Sequence, residues 1–182
     1  MTRTLESARA LRPARFAHFV IRVRDLQRSI DWYEKVIGMQ MVHRGEKLAF
    51  MSYDEEHHRV ALAETPVEHE APPGAPGLDH VAYAFETLGE LLSTYRRLET
   101  LGIKPYLPIN HGPTTSLYYH DPDGNGVEFQ VDNFETEAEL KGWMESEAFL
   151  ANPIGVPFDP EKLIERYLAG DPLEALLRQG AA

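Results

Sequence analysis

The chain contains no cysteine. Disulfides, thiolate nucleophiles, cysteine-bound zinc and iron–sulfur clusters are therefore excluded, and any metal must be held by His, Asp, Glu or other oxygen donors. Positive charge is also scarce: 18 Lys and Arg stand against 29 Asp and Glu, a formal net charge of −11. The basic residues are scattered, which argues against nucleic acid or an anionic membrane surface as a partner. Apolar runs are only a few residues long, far short of the roughly 20 that a membrane helix needs. The N-terminal stretch MTRTLESARALRPARF has no apolar segment of the secretory kind, so the expected location is the cytoplasm.

What is present is ordinary for a soluble globular protein: 182 residues, 43% hydrophobic and 26% charged, enough for one domain with a real core and an appendage. The order of elements repeats. Phe16–Val23 reads as a strand, and Asp25 then N-caps a helix that carries Leu26, Ile30, Tyr33 and Ile37 and ends at Gly38. Strands are expected at Met39–His43, Leu48–Tyr53 and Arg59–Glu64. After the Pro/Gly-rich linker 66–77 comes a strand at Asp79–Phe85, a helix opened by Thr87, and strands at Pro105–Ile109, Thr115–Tyr119 and Val127–Val131. Both halves read β-α-β-β-β, about 50 residues each, an internal repeat that is a clue to architecture. Residues 135–150 and 160–178 read as helices with too much apolar surface to leave in water, Trp143, Phe149, Leu163 and Ile164 among it.

The repeat puts FAHFVIRV over LDHVAYAF, so His18 and His80 take the same place in two first strands. Aligning RVALAE with GVEFQV sets Ala61 against Glu128. Period-2 alternation gives Glu128 a strand face opposite Val127 and Phe129, either a wet face or the wall of a site. If a pseudo-twofold axis relates the halves, His18, His80 and Glu128 can share a centre whose fourth symmetric place is an alanine. Two imidazoles and one carboxylate with open positions opposite are the set that non-heme Fe(II) oxygen chemistry uses.

The duplicated βαβββ units, His18, His80, Glu128 and the turn DPDGN together resemble the vicinal oxygen chelate superfamily over roughly residues 14–133. That superfamily holds glyoxalases, antibiotic-resistance proteins, epimerases and type I extradiol dioxygenases. The resemblance implies an α+β fold in which two paired modules, about 14–65 and 78–133, form a curved mixed sheet around a metal. It makes 1–133 the chelate domain and 134–182 a helical C-terminal extension that covers the pocket mouth or embraces a second subunit.

Glyoxalase-type members use four protein ligands. Ala61 cannot supply one, and Glu64, an odd step away, falls on the other strand face. EEHHRVALAE resembles the extradiol dioxygenase strand whose second histidine faces the O₂ side of the iron, which is His58 here. HGPTTSLYYH resembles the segment in which a histidine precedes a tyrosine ten residues before the metal carboxylate, which gives His111 and Tyr118. Tyr118 is preferred to Tyr119 because it shares the phase of Ser116.

The resemblance thus implies an Fe(II) extradiol dioxygenase, with Mn(II) as a substitute, cleaving a 2,3-dihydroxybiphenyl-like or smaller catechol with O₂. Its metal ligands are His18, His80 and Glu128. His58 serves as the acid on the oxygen side, and His111 and Tyr118 polarise the substrate oxygens. No organic cofactor is implied, and a homo-oligomer is expected. The alternatives are a metal-dependent lyase or isomerase of the glyoxalase or epimerase kind, or a metal-free antibiotic-binding module.

Overall fold

The computed structural model describes residues 12–66 and 75–182, so most of the 66–77 linker lies outside the described residues. These residues form two compact units, one on each side of that segment. No helix among them is long and apolar enough to cross a membrane.

The first unit runs β1 (Phe19–Val23), α1 (Leu26–Ile37), β2 (Gln40–Arg44), β3 (Leu48–Ser52) and β4 (Val60–Glu64). Its sheet has the order β1-β4-β3-β2, with β1 parallel to β4 and the other neighbours antiparallel. Helix α1 starts where the Asp25 side chain accepts from the Arg28 N–H at 2.9 Å. It stops at Gly38, whose φ of 80° lets the chain turn out of the helix. Leu26, Ile30, Tyr33 and Val36 are its buried stripe, and they pack on β3 and β4. Val36 is buried beside Tyr33, while the expected Ile37 is only half-buried; both positions lie on the same helical stripe.

The second unit repeats the pattern: β5 (His80–Ala84), α2 (Leu88–Thr100), β6 (Leu107–Asn110), β7 (Thr114–His120) and β8 (Gly126–Asp132). The order is β5-β8-β7-β6, again with the first and fourth strands of the module parallel. A capping box between Thr87 and Glu90 opens α2. Each module therefore makes its own mixed sheet, and the expected α+β architecture consists of a four-stranded and a five-stranded sheet.

The fifth strand was not foreseen. It is β9 (Val156–Pro157), which comes from the C-terminal region and pairs antiparallel with Ile109 and Asn110 of β6. Around it lie α3 (Glu137–Met144), α4 (Glu147–Ala151), α5 (Pro160–Leu168) and α6 (Leu173–Leu176). Each expected tail helix is thus split in two. Ser146 breaks the first by N-capping α4 through the Phe149 N–H. Gly170, at φ 84°, and Pro172 break the second. Helix α5 packs on α2. Leu163 and Ile164 of α5 are buried, worth about 1.5–3 kcal/mol each by removal from water. At the rim of this contact Glu161 accepts from the Tyr95 hydroxyl at 2.9 Å and pairs with Arg96 at 2.6 Å.

Candidate metal and catalytic site

The strand registers decide which side chains share a face. In the first unit Val20, two residues after His18, pairs with Ala61, and Ala61 pairs with Phe50. In the second, Ala82, two residues after His80, pairs with Glu128, and Glu128 pairs with Tyr118. The backbone thus matches Ala61 to Glu128 and Phe50 to Tyr118. Tyr118 stands directly across from Glu128, whereas Tyr119 is buried on the Phe129 side of the sheet, with ring centroids 5.5 Å apart.

The turn before β8 sets the start of that strand. Asp121 Oδ1 accepts from the N–H groups of Asp123 (2.9 Å) and Asn125 (2.8 Å). Its other oxygen accepts from the Asn125 side chain at 2.8 Å, and Gly124 takes φ 87°. Gly126 does not use positive φ; it is needed for space. A Cβ there would lie 2.5 Å from the Asp79 carbonyl and 2.9 Å from His80 Cβ. This close approach seats His80 against β8, and its Nε2 comes to 3.0 Å from Glu128 Oε2. The other ring nitrogen, Nδ1, lies 2.7 Å from Asp79 Oδ2. A carboxylate that holds one imidazole nitrogen and leaves the other pointing at a second carboxylate is the arrangement that orients metal-ligating histidines.

Glu128 is buried, 4% exposed, and so is Tyr118 at 7%. The His80 and Tyr118 rings meet edge to face at 5.1 Å. Burial first, and then the Glu128 carboxylate, push the Tyr118 hydroxyl well above the ordinary phenol range. The hydroxyl lies 3.0 Å from His111 Nε2. His111 begins the β6–β7 turn, its N–H donating to the Thr114 carbonyl at 2.9 Å, and its Nδ1 contacts the carbonyl of Ile154 in the C-terminal region. Asp79, His80, Glu128, Tyr118 and His111 thus form one continuous polar row.

His18 and His58 lie in the first unit, with ring centroids 4.2 Å apart. His58 stacks on Phe50 at 4.6 Å and 21°, and its Nδ1 is 2.6 Å from that of His57. Burial, then the neighbouring His18 and His57, lower its pKa and favour the neutral ring. Arg59 holds this loop. Its guanidinium chelates Asp54 at 2.8–3.1 Å and donates to the Phe16 and Ala17 carbonyls at 2.7 and 3.0 Å, just before His18. Glu64, whose parity set it off the site, accepts from the Leu26 N–H at 3.0 Å and so serves the start of α1.

Among the described residues no three His, Asp or Glu side chains gather into a metal-binding cluster. The second unit offers a two-donor pair, His80 and Glu128, and the first offers His18. The donor types suit a divalent first-row cation, since each is an imidazole or a carboxylate and one is already oriented by an outer carboxylate. Asp79, Arg59 and the Ile154 carbonyl were missed in the sequence. Asp79 was the most accessible of these, as the immediate neighbour of a candidate ligand.

The residues 15–129 match the Glyoxalase/Bleomycin resistance protein/Dioxygenase superfamily, and the chain belongs to that family. Within it, the chain is 46% identical over 163 residues to "Biphenyl-2,3-diol 1,2-dioxygenase 2" of Rhodococcus globerulus, covering 89% of this chain and 86% of the relative. It is 45% identical over 160 residues to "Biphenyl-2,3-diol 1,2-dioxygenase 3" of the same organism, covering 87% and 84%. Among solved structures, lactoylglutathione lyase from Agrobacterium tumefaciens superposes with a TM-score of 0.54 at 23% identity, over 65% of this chain and 94% of its own. That last likeness concerns the fold alone.

Proposed function

We propose that this chain is an extradiol ring-cleaving dioxygenase that opens a biphenyl-2,3-diol-like or smaller catechol with O₂. The observation that carries the reading is the row Glu128–Tyr118–His111, a carboxylate beside a buried phenol and an imidazole, at places where the first unit has only Ala61 and Phe50. The names of the 46% and 45% identical relatives support it. The glyoxalase-type alternative is disfavoured because Ala61 has no donor and Glu64 is engaged by α1.

On this reading His18, His80 and Glu128 hold one metal ion, ferrous iron with Mn(II) as a substitute. Bound there, the ion supplies a Lewis acid with open positions for a diol and O₂. The protein's residues handle protons and orientation. Tyr118 and His111 receive and hold the diol hydroxyls by hydrogen bonding, and the buried setting strengthens those bonds. His58, kept neutral by its surroundings, takes up a proton and returns it to oxygen as the ring opens. Residues 1–133 form the catalytic domain and 134–182 an extension to it. The protein works in the cytoplasm as a homo-oligomer, without nucleic acid or membrane.

The test is direct. Anaerobically iron-loaded protein given biphenyl-2,3-diol or catechol, then air, develops strong yellow absorbance and consumes one O₂ per diol. Saturable diol binding with neither colour nor oxygen uptake would identify a binding module instead.

A further inference from the structure

The C-terminal extension converges on one turn. Its β9 pairs Val156 with Asn110. The Asn110 side chain donates to the Leu177 carbonyl at 2.8 Å, and Gln179 donates to the Asn110 carbonyl at 3.1 Å. The Trp143 indole lies so close to Gly112 that a Cβ there would collide with it. The extension thus engages both sequence neighbours of His111, and the Ile154 carbonyl meets the His111 ring itself at Nδ1.

That last contact has a chemical consequence. A carbonyl only accepts, so Nδ1 carries the ring proton and Nε2 of the neutral imidazole is left as an acceptor. Nε2 is the atom 3.0 Å from the Tyr118 hydroxyl. Tyr118 has one proton and two neighbours able to take it, His111 and the Glu128 carboxylate across the strand pair. With His111 in this tautomer the proton has a partner away from Glu128, whose oxygens stay available. In the other tautomer Nε2–H would donate to Tyr118 and turn its proton toward Glu128.

We propose that Ile154 and Gly155 are positioning residues that fix the tautomer and orientation of His111 through the Ile154 carbonyl. The inference rests on the role given to His111 above. Gly155 makes the approach possible. Its φ is +117°, and a Cβ would run into the Asn110 carbonyl and come 2.7 Å from His111 Cα. Asn152 braces the turn, donating to the Gly155 carbonyl at 2.7 Å and accepting from its N–H at 3.1 Å.

The experiment uses full-length protein with ¹⁵N-labelled histidine, no metal added, and reads the His111 ring nitrogens by NMR. Wild type shows well-separated signals of an Nδ1–H tautomer. In Gly155→Ala the two signals move together as the tautomers mix. Gly170→Ala is the matched control, because Gly170 has φ +84° and open space around it; it leaves His111 unchanged. Asn152→Ala, at an exposed residue, gives a smaller shift in the same direction and serves if Gly155→Ala does not fold. With iron, kcat of the responding variant falls roughly 10–100-fold, the range for lost outer-sphere partners, while iron content holds. Unchanged His111 signals in folded Gly155→Ala or Asn152→Ala, or an equal change in Gly170→Ala, overturn the inference. A protein that opens no catechol yet shows the tautomer response refutes the function and leaves the positioning intact.

Discussion

The two units are the same scaffold carrying different chemistry. Both pair their first and fourth strands in parallel, and both place a histidine two residues before a matched cross-strand contact. At that contact the first unit has Ala61 facing Phe50, and the second has Glu128 facing Tyr118. The turns differ in the same sense. Gly45 donates its N–H to the Leu48 carbonyl where His111 donates to Thr114. With apolar residues at this contact in one unit and polar ones in the other, a metal held as proposed would draw most of its ligands from the second unit. A repeated backbone with unlike side chains would leave such an ion with three protein ligands and open positions.

Making the second unit resemble the first is therefore the most damaging change. Glu128→Ala reproduces Ala61, and both bound iron and turnover should drop to background, as metal analysis and oxygen uptake will show. Tyr118→Phe reproduces Phe50 and removes one hydroxyl. Iron should be retained while kcat falls about 10²–10³-fold, the usual loss for one preorganised hydrogen-bond donor. Asp79→Asn weakens the outer partner of His80. Because that carboxylate is exposed, iron affinity should fall only about ten-fold, the low end for such partners.

Much of this was legible in the sequence because it is local. Asp25, Thr87 and Gly38 act within one helical turn, and the period-2 pattern of β8 put Glu128 on its own face. The repeat was legible because His18 and His80 sit in similar strings. Strand β9 was not, because Val156–Pro157 lies in a Pro/Gly-rich stretch and its partner is Ile109–Asn110, far away in sequence. Arg59 was hidden for a related reason: its carbonyl partners, Phe16 and Ala17, are more than forty residues earlier. A reading of residue types cannot see a backbone carbonyl such as that of Ile154.

The smallest expected effect separates the scaffold from the site. Tyr95, under α5, has its hydroxyl pushed up to about 12 by burial and then by Glu161. The native state holds that proton more tightly than the unfolded chain, so the contribution is full below pH 10 and is lost as pH rises through about 12. Denaturant midpoints should fall over that window, and Tyr95→Phe should flatten the fall without altering iron content.

The central claim of the proposal is that His18 of the first unit serves the same ion as His80 and Glu128. Iron per chain after anaerobic loading, measured for wild type and for His18→Ala, tests it most directly. The account predicts one iron per chain in wild type and almost none in the variant; a variant that keeps its iron at full occupancy contradicts it.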